Sequence, residues 1–194
     1  MTVPPRLILA SASPRRRELL QLLVEAFDIR PSAIDETLAG ATVVDAITNL
    51  ALDKARAVAA SAPDAVVLGA DTVVVLEGDV FGKPADAAEA RSMLHRLRGR
   101  WHEVITGIAV VAPGREASAA AVSRVLMDAV DDRMIDEYVA SGEPLDKAGA
   151  YAIQGAGGRL IRGLVGSYTN VIGLPLEMTR ELLESVGVPV RRAA

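Results

Sequence analysis

The sequence predicts an α/β fold built on a mixed β-sheet. Two observations carry this reading. Short runs of aliphatic and β-branched residues have the length and composition of buried strands, and capped segments with helical periodicity interleave with them. A chain of 194 residues is also long enough to bury a real core as one domain, or as two tightly joined lobes.

The elements follow in order. Arg6 to Ala10 (RLILA) reads as a buried strand. Ser13 is the cap of a helix reaching to about Val24, with Pro14 at the first helical position, where its missing N–H costs nothing. Ile29 to Ile34 is predicted to be extended, leading into Asp35-Glu36, and a second helix covers Val43 to Ala60. Val66 to Leu76 (VVLGADTVVVL) is a strand, closed by a hairpin turn at Glu77-Gly78-Asp79. Asp86 opens a third helix with Glu89 three residues on, a capping-box spacing, and Gly99 ends it. Val104 to Val111 and Ala119 to Ala129 are paired strands joined around Pro113-Gly114. Asp132 to Ala140 is a helix ending near Gly142, Glu143 to Gly173 is glycine-rich and loop-like, and Pro175 to Val186 is an amphipathic helix stopped by Gly187.

Composition excludes several classes. No apolar run has the length needed to cross a membrane, and Met1-Thr2-Val3-Pro4-Pro5 lacks the features of a secretion signal. Cysteine is absent, which removes disulfides and thiolate metal sites and makes a cytoplasmic enzyme the expectation. The net charge of −4 gives no reason to expect nucleic acid as a partner. His95 and His102 are too few for a multi-histidine zinc site, so any metal should be a hard cation on carboxylates, Mg²⁺ or Mn²⁺. The Gly-x-x-x-x-Gly-Lys-Ser/Thr, Gly-x-Gly-x-x-Gly, His-Glu-x-x-His and Gly-x-Ser-x-Gly patterns are all missing.

Four places break local structural rules. Acidic residues normally fill the first turn of a helix, where the macrodipole is positive, but here Arg15, Arg16 and Arg17 do. Free N–H groups, the dipole and guanidiniums, with hydroxyls from Ser11 and Ser13, make an anion site; the alternative is a solvated basic patch. Lys54 falls near the centre of the apolar face formed by Ile47, Leu50, Ala51 and Val58, so its ammonium either snorkels out or points into a functional site. Asp71 interrupts the most apolar strand, on the face of Val67, Val73 and Val75 unless Gly69 kinks the chain. A carboxylate there needs a cation, a metal or backbone donors; it is the preferred general base or metal ligand, against a purely structural Asp. The run from Gly142 to Gly155 mixes glycines, charges and Gln154, whose amide both donates and accepts and so suits a base edge. Gly82-Lys83-Pro84 supplies a further cation after the hairpin.

Taken in order, these segments resemble the Maf family of nucleoside triphosphate pyrophosphatases. The matching pieces are Ser11-Ala12-Ser13-Pro14-Arg15-Arg16, Asp35-Glu36, Leu50-Ala51 with Lys54-Ala55, Gly69-Ala70-Asp71-Thr72-Val73-Val74 and Gly82-Lys83-Pro84. His102 to Gly107, Glu143 to Gly155 and Gly166 to Pro175 complete the set, which spans nearly the whole chain. The resemblance implies one domain over residues 1–194, its twisted sheet flanked by helices and split into two lobes around a nucleotide cleft, as in Maf and Ham1-like proteins. It implies a metal-dependent hydrolase that cuts between the α- and β-phosphates, and a homodimer in the cytoplasm. The segment Asp146-Lys147-Ala148-Gly149-Ala150-Tyr151-Ala152-Ile153-Gln154-Gly155 resembles the branch acting on dTTP and UTP. The alternatives are the same chemistry on 7-methyl-GTP or other modified nucleotides, and a non-catalytic regulator of septum formation. On the resemblance, Ser11, Ser13, Arg15 and Arg16 hold the polyphosphate, and Lys54 and Lys83 stabilise developing charge. Glu36 and Asp71 ligate Mg²⁺ or Mn²⁺, Asp71 also activates water, and Thr72 and Gln154 read the pyrimidine, a choice in which Arg15 shares. Asn49 departs from the arginine of many members, on the helix face away from Lys54. Arg17 is expected to be a surface residue.

Overall fold

The computed structural model describes residues 5–191; Met1 to Pro4, on which the secretion-signal expectation chiefly rests, lie outside the described residues. Seven strands form a mixed sheet in the order β2-β1-β3-β5-β6-β7, with β4 paired to β3. These are β1 (Leu7–Leu9), β2 (Asp28–Ile29), β3 (Val66–Leu76), β4 (Asp79–Phe81), β5 (Trp101–Ala112), β6 (Arg115–Met127) and β7 (Ile161–Val165). The helices are α1 (Pro14–Leu23), α2 (Val43–Ala59), α3 (Ala87–Leu97), α4 (Asp132–Ala140), α5 (Tyr168–Ile172) and α6 (Leu176–Ser185). The chain divides into two compact units. The first is Met1–Asp71, Thr106–Ala121 and Gly173–Ala194; the second is Thr72–Ile105 and Val122–Ile172. Among the described residues no helix is long and apolar enough to cross a membrane.

In the first unit, β1 pairs in parallel with both β2 and β3. Pairing with β2 stops early. Arg30 N–H donates to Leu9 O at 3.0 Å, and the chain then leaves strand geometry. The extended stretch expected from Ile29 to Ile34 is therefore a two-residue strand followed by irregular chain. Helix α2 is held by a full capping box between Thr42 and Asp45. Its apolar face meets Ile8, Ala10 and Val67 of the sheet through Ala55 and Val58.

Two glycines decide how closely α2 approaches. A Cβ on Gly69 would lie 2.1 Å from Ala51 O, and one on Gly107 would lie 2.4 Å from Ile47 O. The helix backbone rests on the bare backbones of β3 and β5, one and two turns before Lys54. Gly69→Ala should force the helix outward and cost about 1–3 kcal/mol. At this chain length that lowers Tm by about 2–12 °C, readable by thermal circular dichroism. An unchanged Tm would refute the close-contact role.

In the second unit, β3 and β4 form a hairpin with positive φ at both Glu77 (53°) and Gly78 (90°), the geometry of a type I′ turn. Asp86 caps α3 by accepting from Glu89 N at 2.8 Å, but the Glu89 carboxylate reaches back to Ala85 N (2.6 Å). Gly99 then leaves the helix with φ 70°. The core joins Val74, Leu94, Leu97, Val125, Met127, Ile135 and Leu160. The region expected to be loop from Glu143 to Gly173 contains three 3-10 turns, β7 antiparallel to β6, and α5. Strand β7 gains its hydrogen bonds from distant β6, and its half-exposed sequence with an internal Gly163 carries little local strand signal.

A buried histidine ties β5 to that region. His102 is 2% exposed, and its Nε2 lies 2.8 Å from the Tyr151 hydroxyl. Burial pushes its pKa from 6.5 down to about 4, against a weaker upward pull from the Arg100 backbone. Between these values the unfolded chain binds a proton that the folded chain refuses. Stability therefore falls as pH is lowered from 6.5 to about 4, by up to ~1.4 kcal/mol per pH unit. His102→Gln should flatten the Tm–pH curve over that interval. Equal slopes in both proteins would remove His102 as the cause.

Candidate active site

The start of α1 gathers hydroxyls and guanidiniums. Ser13 is the N-cap, its Oγ accepting from Arg16 N at 3.4 Å, and Pro14 takes the first turn. Ser11 Oγ accepts from Ser13 N (3.2 Å) and from the Arg16 guanidinium (3.2 Å). Both hydroxyls act as acceptors in these bonds, so each keeps its own O–H to donate. Arg16 is fixed further by a bond from Nε to Gly173 O at 2.9 Å. It is half-buried, Arg15 likewise, and Arg17 is exposed as expected. The acidic residues that usually fill a first turn are absent here, leaving the positive end of the dipole uncompensated.

Lys54 is the centre of the site. It is 5% exposed on the apolar face of α2, among Leu50, Ala51, Ala55 and Val58. Its Nζ lies 2.5 Å from Asp71 Oδ1 and 2.6 Å from Glu36 Oε1. The lysine does not snorkel to solvent: it bridges two carboxylates. Asp71 has the cation partner that a carboxylate in an apolar strand requires, with its side chain only 15% exposed. Glu36 is 59% exposed and arrives from the irregular chain after β2. That chain is anchored at its far end, where Asn49 Nδ2 donates to Ala39 O (3.2 Å). Gly40 also packs against the first turn of α2, where a Cβ would lie 2.5 Å from Ala46 N.

Arg16 feels the same groups. Burial lowers its pKa, Asp71 and Glu36 pull it back up, and Arg15 opposes them. A guanidinium stays charged through such a shift. Arg15, Arg16 and Lys54 thus outnumber Glu36 and Asp71, leaving net positive charge beside the start of α1. That arrangement suits a polyanion with acidic ligands at its edge.

The first unit thus brings together Ser11, Ser13, Arg15, Arg16, Glu36, Lys54 and Asp71. Thr72, Lys83 and Gln154 belong to the second unit. Thr72 is half-buried on β3, Lys83 is exposed after β4, and Gln154 is exposed in extended backbone (φ −95°, ψ 163°). Gly82, next to Lys83, accepts from Gly149 N at 3.0 Å. In the sequence Gly69 reads only as a kink and Gly107 carries no role of its own. Their signal was a glycine inside each of two apolar strands.

An α/β fold with a mixed sheet carries a cationic cluster edged by two carboxylates. A solved structure described as the Staphylococcus aureus Ham1 protein shares the fold, with TM-score 0.54 and 14% identity over 93% of this chain and 98% of that one. The chain belongs to the Maf family: the family model described as Maf-like protein matches residues 6–186. Among its relatives, a dTTP/UTP pyrophosphatase of Moorella thermoacetica (strain ATCC 39073 / JCM 9320) is 55% identical, covering 95% of this chain and 97% of the relative. One from Anaeromyxobacter dehalogenans (strain 2CP-C) is 51% identical, covering 96% of each, and one from Myxococcus xanthus (strain DK1622) is 50% identical, covering 95% and 94%.

Proposed function

We propose that this chain is a nucleoside triphosphate pyrophosphatase that hydrolyses dTTP and UTP to the monophosphate and pyrophosphate. The observation that carries the reading is the Glu36–Lys54–Asp71 bridge beside the arginine-loaded start of α1. It supports the reading by gathering ammonium, guanidinium and carboxylate groups in one cluster. Relatives about half identical over nearly their whole length carry the name dTTP/UTP pyrophosphatase, which supports the choice of substrate.

In this reading Ser11, Ser13, Arg15 and Arg16, with the positive end of α1, hold the polyphosphate. Asp71 accepts a proton from a water that attacks the α-phosphorus. The bond from that phosphorus to the bridging oxygen breaks, and the electron pair leaves with pyrophosphate. Lys54 and Lys83 stabilise the charge that develops on the equatorial and leaving oxygens. Thr72 and Gln154 read the pyrimidine, with Arg15 contributing to that choice.

The donor set fits Mg²⁺ or Mn²⁺. Glu36 and Asp71 already converge on one cation, the Lys54 ammonium, with hard oxygen atoms. No group of three or more His, Cys, Asp or Glu suited to a metal occurs among the described residues; Glu36 and Asp71 would hold the ion together with phosphate oxygens and water, as is usual for Mg²⁺. Bound there, the metal would neutralise charge on the phosphate oxygens. Family resemblance supports a cytoplasmic homodimer, which light scattering would test for assembly.

The test incubates the purified chain with dTTP, UTP, the other common triphosphates and 7-methyl-GTP, with and without Mg²⁺ or Mn²⁺, and assays pyrophosphate. Metal-dependent pyrophosphate release from dTTP and UTP is expected. Orthophosphate as the only product would refute cleavage at the α–β bond. Preference for 7-methyl-GTP would move the chain to the other branch, and no turnover of any triphosphate would leave a nucleotide-binding regulator.

A further inference from the structure

The exposed Gln154 sits in a segment held at both ends by one pair of side chains. Tyr138, on α4, is 5% exposed, and its hydroxyl donates to Glu143 Oε1 at 3.0 Å. The same oxygen of Tyr138 accepts from Ala152 N at 3.1 Å, two residues before Gln154. The Glu143 carboxylate accepts from Ala156 N (3.3 Å) and Gly157 N (3.1 Å), just beyond it. Three backbone donors that bracket Gln154 thus end on two hydrogen-bonded side chains.

The chain is shaped to fit them. Gly155 has φ 70°, and a Cβ there would lie 3.1 Å from Glu143 Oε2. A Cβ on Gly157 would meet Ala152 O at 2.4 Å and the Tyr138 hydroxyl at 2.5 Å. Only glycine lets the two sides of the segment close on the tyrosine. Glu143 is fixed in turn: Lys147 Nζ donates to its carbonyl oxygen at 3.0 Å. Burial alone would raise the Glu143 pKa, but the Gly157 N–H, the Tyr138 hydroxyl and the Ala156 N–H outweigh it and lower it. The carboxylate is therefore ionised at neutral pH, and its bonds are charge-assisted.

We propose that Tyr138 and Glu143 are positioning residues for base selection: they clamp residues 152–157 so that Gln154 is presented to the nucleobase in one conformation. The inference rests on the reading above that Gln154 contacts the base. Neither residue touches phosphate or water in that reading, so loosening the clamp should weaken base recognition and spare the chemical step. A side chain whose backbone wanders loses the pre-organisation that makes its hydrogen bonds selective.

Steady-state kinetics on dTTP and dCTP, which present different edges of one ring size, test this with Tyr138→Phe, Glu143→Gln and Gln154→Ala. Tyr138→Phe keeps the ring in the core and removes only the hydroxyl, so it serves if the Glu143 variant fails to fold. Each clamp variant should raise KM for dTTP about tenfold with kcat within about twofold, and lower the dTTP/dCTP ratio of kcat/KM to match. Combining Tyr138→Phe with Gln154→Ala should cost no more selectivity than Gln154→Ala alone. A fall in kcat equal for both nucleotides, or a lowered Tm with selectivity intact, would overturn the clamp. If Gln154→Ala loses selectivity and the clamp variants do not, the clamp falls and the base-reading role of Gln154 stands. If Gln154→Ala itself keeps full selectivity, both fall.

Discussion

Asp71→Asn should reduce kcat about 10²–10⁴-fold while the protein keeps its fold. The residue lies at the point where β3 meets the carboxylate–ammonium bridge, its Oδ1 2.5 Å from Lys54 Nζ. Asparagine keeps the size of the side chain and one oxygen able to accept from the ammonium, so little packing is lost. What disappears is the negative charge and the capacity to take a proton from water. Lys54 retains Glu36 at 2.6 Å, which limits the stability cost. Pyrophosphate release under saturating dTTP and a thermal melt separate the two effects. A folded Asp71→Asn variant with near-full turnover would remove Asp71 from the chemistry altogether.

The conflict that marks this residue was visible in the sequence, whereas its resolution was not. Lys54 breaks the apolar stripe of α2 and Asp71 breaks the apolar run of β3, and both irregularities are local and legible. Their pairing depends on how near the helix lies to the sheet. That distance is set by Gly69 against Ala51 O and Gly107 against Ile47 O, contacts between segments far apart in the chain. The fold divides the same way. Strand β3 and helix α4 span the residues that composition predicts, because β-branched runs and the terminal Gly142 act locally. Strand β7 and helix α5 were missed. The first depends on β6 for its hydrogen bonds, and the second is one short helix after a serine-glycine turn.

The cationic start of α1 is legible in part for a related reason. A helix start without acidic residues is a signal in the sequence itself. The use of Ser11 and Ser13 to brace Arg16 and cap the helix, with their hydroxyl hydrogens left to donate, needs the tertiary geometry. The same holds for Glu36, whose identity as a partner of Lys54 depends on irregular chain that Asn49 and Gly40 pin to α2. Resemblance to a family supplied that residue; periodicity had no means of finding it.

Lys54→Met should abolish turnover and also destabilise the protein, and the two losses should respond differently to a second change. Methionine fills the lysine stem's place among Leu50, Ala51 and Val58, so the apolar contacts of α2 survive. Asp71, with its side chain 15% exposed, loses its cation. Removing one partner of a fully buried pair costs about 3–5 kcal/mol. Here solvent reaches Asp71 in part, and the Glu36 side chain is already 59% exposed. The expected loss is therefore smaller, about 1–3 kcal/mol. Adding Asp71→Leu removes the stranded carboxylate and should restore most of that stability without restoring activity. Denaturant unfolding of the wild type, both single variants and the double variant gives the coupling directly. If the double variant is no more stable than Lys54→Met, the ion pair is not what holds the two elements in register. If Lys54→Met retains near-wild-type turnover of dTTP, the bridge serves the fold alone and the phosphate-stabilising role of Lys54 is wrong.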